Sequence, residues 1–233
     1  MITIYTIAYN EQVLLQFMID HYRQRFPDCK IVVYDNMSTD RTKQIALNNK
    51  CTVIPYDTKN KLNDHIYLEI KNNCWKQAET DWVLICDVDE LLDITKQNLL
   101  LEQKKGTTIV MSEAYQMINM KNNFNLKEIN RGVRDPGYDK KFLFNKQYIK
   151  EINYGIGCHG CEPVGNIILS QNKYKLYHYK YINQSYHIKR YKLFESRLSD
   201  FNLTNKIGMG YCISPLDIKY EYFSLRNRAI KLF

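Results

Sequence analysis

The sequence predicts an α/β fold, one domain with a mostly parallel central sheet flanked by helices and with further helices appended at the C-terminal end. Three observations carry that expectation. Short apolar runs alternate with amphipathic stretches over the first half, and the runs are apolar throughout, as in strands buried on both faces. At 233 residues and 45% hydrophobic content the chain supports one full core and is short for two. The halves carry no linker or low-complexity stretch between them.

The elements follow in order. Ile2 to Tyr9 reads as a strand, after which Asn10 is expected to cap a helix with apolar Val13, Leu14, Phe17, Met18 and Tyr22 at helical spacing. Lys30 to Asp35 is a second strand, followed by the turn NMSTD and a helix from Arg41 to Asn48. Cys51 to Tyr56, a helix over Leu62 to Ala78, and the strand Trp82 to Cys86 complete the first half. Thr107 to Met117, Lys140 to Lys146 and Tyr174 to Tyr181 read as later strands, with a glycine-rich loop, YGIGCHGCEPVG, at Tyr154 to Gly165. Helices over Ser185 to Phe201 and Leu216 to Leu232 close the sequence. The expected divisions are 1–95, 96–182 and 183–233, all within one domain.

Composition bounds the chemistry. Seven cysteines without paired spacing point to reduced thiols. Cys158 and Cys161 flank His159 without the second ligand pair that zinc needs. A formal charge of +8 indicates anionic partners: nucleic acid, a phospholipid surface or a phosphorylated small molecule. No signal peptide and no apolar run of about 18 residues is evident, so the expectation is a cytoplasmic protein, at most peripheral to a membrane.

In open parallel sheets, ligands bind beyond the carboxyl ends of the strands. That rim holds Tyr9 to Glu11, Asp35 to Asp40, Tyr56 to Asp57 and Asp87 to Glu90. It is acidic and poor in glycine, unlike a phosphate-cradling loop, so a metal is expected to hold the phosphates. In DWVLICDVDELLD, extended backbone would turn Asp87 and Asp89 to one side and Val88 into the protein. Paired carboxylates suit a hard cation, Mn²⁺ or Mg²⁺, that completes its shell with substrate oxygens. The alternative is an Asp-rich turn with no ligand.

Taken jointly, YTIAYNE, VYDNMSTDRT, IKNNCWK and DWVLICDVDELL resemble, in order and spacing, the nucleotide-sugar-binding half of family 2-like glycosyltransferases with the GT-A fold. YDKKFLF, GCHGCEPVG and LYHYKY are similar to downstream motifs of a subgroup with the DVDE form. The resemblance spans roughly residues 2 to 200. It implies a metal-dependent transfer of a hexosyl group from a nucleotide donor, a UDP-sugar foremost, to a glycan, lipid-linked or protein hydroxyl, with inversion.

By position it also implies roles. Asp89 is the principal metal ligand, Asp87 a ligand that also touches sugar or ribose, Asp35 a base or ribose contact, and Tyr9 a stacking platform. Ile7 departs from the pattern, since many members carry a small hydroxyl residue there. His159 is the expected third ligand, ahead of His178. Lys71, Lys140 and Lys141 are expected at the donor phosphates, although Lys71 and Asn72 equally suit a solvated helix face. A base is needed for inversion, with Glu162 first, Glu113 second and Glu90 third. A nucleotidyltransferase is the nearest competing reading, but AYNEQV lacks the Gly-rich basic first loop. A non-catalytic nucleic-acid binder using the tyrosine- and lysine-rich tail is the competitor from another class, and no nucleic-acid partner is expected.

Overall fold

The computed structural model describes residues 1–121 and 123–233. The first half comprises β1 (Ile2–Ala8), α1 (Leu15–Arg25), β2 (Lys30–Asp35), α2 (Thr42–Asn48), β3 (Thr52–Pro55), α3 (Asp64–Asn73), β4 (Trp82–Ile85) and β5 (Glu90–Leu92). Then come α4 (Lys96–Lys104), β6 (Ile109–Ile118), β7 (Arg131–Arg134), β8 (Leu143–Asn145), β9 (Ile149–Glu151), β10 (Val164–Gly165) and β11 (Leu169–Tyr181). The chain ends in α5 (Gln184–Arg197), α6 (Asp200–Thr204), α7 (Pro215–Arg228) and β12 (Ile230–Lys231).

Among the described residues ten strands form one sheet, and β9 pairs with β10 apart from it. Its parallel part is β3-β2-β1-β4, built from the apolar runs of the first half. Beyond β4 the sheet is mixed: β8 joins antiparallel, and β6 carries β11 parallel along one edge with β8 and then β7 antiparallel along the other. The chain leaves β1 toward β2 and β3 and then returns to β4 on the opposite side of β1. The two directions part at the β1/β4 boundary, where a crevice opens at the carboxyl ends.

Several local expectations differ from the structure. Asn10 caps no helix. It takes a left-handed φ of 55°, and α1 begins only at Leu15 without a side-chain cap. The Asn10 N–H donates to Ser38 Oγ at 2.9 Å and its Oδ1 accepts from Thr39 N at 2.8 Å, lacing the loops after β1 and β2 together. The α4 helix, started by a Thr95/Asn98 capping box, and the short β5 were not anticipated. β11 begins earlier than Tyr174, and the last helix stops at Arg228 so that β12 can pair with β7.

One buried hydroxyl sets the position of the acidic turn after β4. Tyr22 of α1 is fully buried; its OH donates to Glu90 O at 2.9 Å and accepts from Leu92 N at 3.1 Å. Both backbone groups lie in β5, which pairs with β11, so a helix and two strands meet at this contact. Tyr22→Phe is expected to leave a buried donor and acceptor unpaired and to lower stability by about 1–3 kcal/mol, read from urea unfolding.

Candidate active site

A cavity of about 240 Å³ opens at the crevice. Its walls come from the ends of β1 and β4, one face of α3, the loop before β8, the Gly157–His159 segment, the end of β11 and one face of α5. Helical spacing explains both helix walls. Asp64, Tyr67, Leu68 and Lys71 of α3, and His187, Arg190, Tyr191, Phe194 and Arg197 of α5, recur at intervals of three and four.

Asp87 and Asp89 both line the cavity, but through a turn rather than the extended backbone expected. Glu90 N donates to Asp87 O at 3.1 Å, Asp87 N donates to Glu90 Oε2 at 3.2 Å, and Val88 is 3% exposed. Glu90 is buried and Asp89 nearly so, while the Asp87 side chain is 39% exposed; carboxylates withdrawn from water persist only where charge and hydrogen bonds compensate them. Here Lys71 Nζ lies 2.6 Å from Asp87 Oδ1, and Lys140 Nζ lies 3.5 Å from Asp87 Oδ2 and 2.5 Å from Glu90. Arg190 bridges Glu11 at 2.7 Å and Asp89 at 3.4 Å, and His178 Nε2 lies 3.7 Å from Asp89.

The proton affinities follow. Burial opposes ionisation of Asp87, yet Lys71 and Lys140 outweigh it and hold the carboxyl below its ordinary range. Burial is likewise overcome at Asp89 by His178 and Arg190, which hold it well below that range. Burial disfavours the charge on Lys71 and Lys140, but the acids around them keep both ammonium groups above their ordinary value. Glu11 is different: burial pushes it up to about 8, Arg190 offsets this only in part, and Asp89 and Asp87 add to the rise.

The structure brings Tyr9, Lys71, Asp87, Asp89, Glu90, Lys140, His159 and His178 together, and leaves other expected residues outside the wall. Asp35 is buried, is not part of the wall, and accepts from Ser38 N at 3.3 Å, capping the turn after β2. Lys141 points elsewhere than Lys140, whose backbone N and O both bond Ser112 Oγ, at 2.8 and 2.9 Å. Glu162 is exposed on the glycine-rich loop, its backbone tied to Asn153, and Glu113 accepts from Tyr115 OH at 3.1 Å away from the cavity. The histidine beside Asp89 is His178 rather than the expected His159, whose exposed ring packs on Tyr138 at 4.6 Å. Glu11 was expected on the rim but given no role; Asp64, His187, Arg190 and Arg197 were missed in sequence, and their signal was the polar stripe on α3 and α5. One face of Tyr9 is covered, since the Arg197 guanidinium lies 3.2 Å from its ring centroid and Tyr9 OH donates to Asn60 Oδ1 at 2.7 Å.

Among the described residues no three His, Cys, Asp or Glu side chains gather into a ready-made metal cage. The donor set nevertheless fits a cation that takes its remaining ligands from substrate. Asp89 and His178 share the cavity, and Glu11 Oε2 and His178 Nδ1 are buried there without partners.

Comparison with known proteins agrees with this architecture. Protein RfbJ of Shigella flexneri is 30% identical over 86 residues, 37% of this chain and 62% of RfbJ. TarS of S. aureus superposes with a TM-score of 0.50 at 13% identity, over 95% of this chain and 42% of TarS. TarS 1–349 in complex with UDP-GlcNAc gives 0.46 at 14% identity, over 84% of this chain and 66% of that one. The chain thus spans about three-fifths of RfbJ and about two-fifths of TarS, and the likeness to TarS is one of GT-A fold. The model of glycosyl transferase family 2 matches residues 3–165, well over half of the sequence, and the chain belongs to that family.

Proposed function

We propose that the chain transfers a sugar from a nucleotide-diphosphate donor, a UDP-sugar foremost, to a hydroxyl group. The observation that carries the reading is the paired acid turn, Asp87 and Asp89, facing a cation-lined cavity at the β1/β4 crevice of a family 2 chain. TarS, which shares the fold, is known with UDP-GlcNAc, which supports uridine among the nucleotides. On this reading the nucleotide lies toward Tyr9 and Arg197, and the diphosphate lies near Lys71, Lys140 and Arg190. Asp89 and His178 would hold a divalent cation, Mn²⁺ or Mg²⁺, which offsets negative charge on the leaving diphosphate. Asp87, fixed by its two lysines, is placed to accept hydrogen bonds from donor hydroxyls.

The base for an inverting transfer must be a cavity carboxylate free to take a proton. Glu90 is locked by Lys140 and Asp87 N, and Glu11 retains its own proton up to about pH 8. Asp64, at the start of α3, lines the cavity; its Oδ2 accepts from Asn202 Nδ2, but it has no cation within 4 Å among the described residues, and burial raises its pKa against the opposing effects of Asn202 and Lys71. We assign the base to Asp64 in place of Glu162 or Glu113.

Three outcomes test this. UDP with Mn²⁺ is expected to raise the thermal midpoint more than GDP with Mn²⁺, and Asp89→Ala to lose the metal-dependent part of the shift. A folded Asp89→Ala protein that keeps it overturns the ligand assignment, and a larger GDP shift overturns the uridine choice. Asp64→Asn is expected to cut turnover by ~10²–10⁴-fold with donor affinity within a few-fold; turnover near wild type removes Asp64 as the base.

The third concerns pH. Glu11 binds its proton more tightly folded than unfolded, so its contribution to stability is complete below the unfolded pKa, declines as pH rises and is lost above about 8. Glu11→Gln is expected to gain stability relative to wild type between about pH 5 and about pH 8, read from urea midpoints at each pH. A constant difference across that range contradicts the buried, protonated Glu11.

A further inference from the structure

The charges around the cavity are unevenly matched. At its centre Lys71, Lys140 and Arg190 each face a carboxylate. Two lining cations do not, among the described residues. Arg197 stacks on Tyr9 and donates to Asn60 O at 3.1 Å. Lys180 Nζ rests over the rings of Tyr181 and Tyr191, 5.0 and 5.3 Å from their centroids. Tyr191 precedes Arg197 on α5 by six residues, about 9 Å along a helix, so the two cations touch the α5 wall of the cavity at different levels.

The Lys180 level has further distinctive groups. His178 and Lys180 alternate on β11 and both line the cavity, so the strand carries its face from the acid turn outward. His187 is 1% exposed, lines the cavity and, among the described residues, has no hydrogen-bond partner at either ring nitrogen; Tyr181, Tyr191 and Tyr222 pack around it. Burial, with Lys180 and Arg190 nearby, pushes its pKa down to about 3, so it offers one N–H donor and one acceptor. Tyr138, in contact with His178 at 4.8 Å, and Tyr191 add flat aromatic faces of the kind that pack against sugar or polyol carbons.

We propose that Lys180, His187, Tyr138 and Tyr191 form an acceptor subsite for a hydroxyl compound carrying a phosphate, such as a polyol or sugar phosphate. The assignment rests on the donor reading above, which puts the nucleotide at the Tyr9–Arg197 level. Lys180 supplies the charge for the phosphate, the neutral imidazole of His187 bonds a neighbouring oxygen, and the tyrosines flank the carbon skeleton. A neutral glycan would leave the half-buried Lys180 against aromatic rings with Glu221, beyond 4 Å and bonded to Tyr181 OH, as its nearest counter-charge among the described residues.

The test is a ligand-observed NMR titration of glycerol 3-phosphate, glycerol and inorganic phosphate on the full chain saturated with UDP and Mg²⁺. Glycerol 3-phosphate is expected to bind at least tenfold more tightly than either of the others. Lys180→Met is expected to lose at least tenfold of that affinity, with Lys180→Arg restoring most of it and UDP affinity within twofold in both. Equal binding of glycerol and its phosphate overturns the proposal, as does undiminished phosphate binding in Lys180→Met. Tighter binding of inorganic phosphate replaces the acceptor subsite with a free-anion site, and a parallel loss of UDP affinity in Lys180→Met moves Lys180 to the donor diphosphate. A wild-type chain that binds no UDP with any divalent ion fails the donor reading instead, a result separate from the comparison of the three acceptor probes.

Discussion

Everything in the cavity depends on how the acids after β4 are neutralised. Asp87, Asp89 and Glu90 follow a strand whose four residues are all buried, and such carboxylates are unstable there without partners. The partners come from far along the chain: Lys71 from α3, Lys140 from the loop before β8, His178 from β11 and Arg190 from α5. Arg190 also reaches Glu11 at the end of β1, a contact spanning 179 positions of sequence. The acid turn therefore organises the fold around itself, because each cation drawn to it brings an element of secondary structure. The wall made by α5 is held over the crevice by these charges as well as by the satellite core of Ile118, Tyr181, Tyr191, Ile218, Tyr222 and Leu225.

The same network changes how the basic, tyrosine-rich second half is understood. Read as sequence, LYHYKY and the residues after it suit a stacking platform for bases. Folded, Tyr177, Tyr179, Tyr181, Tyr191 and Tyr222 are buried; the rings of Tyr181, Tyr191 and Tyr222 close on His187, while Tyr177 packs on Phe233 and Tyr179 on Phe17. Of the basic residues among them, Lys180, Arg190 and Arg197 turn into the cavity, while Lys173, Lys189 and Lys192 are exposed. Much of what the composition offers as surface is the inner lining of a pocket.

What was legible in the sequence is what repeats locally. The apolar runs of β1, β2 and β4 and the acids that end them follow from a sheet buried on both faces, and the rim followed from strand order. Less legible were choices made by a distant partner. Whether Lys140 or Lys141 faces the acids is decided by Ser112, which grips the Lys140 backbone on both sides. His178 rather than His159 meets Asp89 because β5 pairs with β11 in a register that sets His178 opposite Glu90. Glu162 drew attention through its glycine-rich loop, but that loop sends only Gly157, Cys158 and His159 to the cavity. The stripes on α3 and α5 were present in the sequence as helical periodicity; a polar stripe reads as a solvated face until a sheet edge is known to lie against it.

Charge bookkeeping at the centre has a consequence for the order in which ligands fit. Burial pushes Glu11 up to about 8, while Asp87 and Asp89 are held below their ordinary range by the cations that face them, Lys71 and Lys140 at Asp87 and His178 and Arg190 at Asp89. Each cation at the centre, Lys71, Lys140 and Arg190, is already paired with an acid, so none is to spare for a bare diphosphate, which would meet repulsion from Asp87 and Asp89 at short range. A nucleotide diphosphate accompanied by a divalent cation carries little net charge and asks for no such surplus. The lining cations with no carboxylate within 4 Å among the described residues are Arg197 and Lys180, the latter with Glu221 farther off. On the donor reading, a cavity whose central cations are paired with acids while Arg197 and Lys180 are not favours a cation-neutralised donor at its centre and an anionic group beyond it, so that one pocket separates its two substrates by charge before shape is considered.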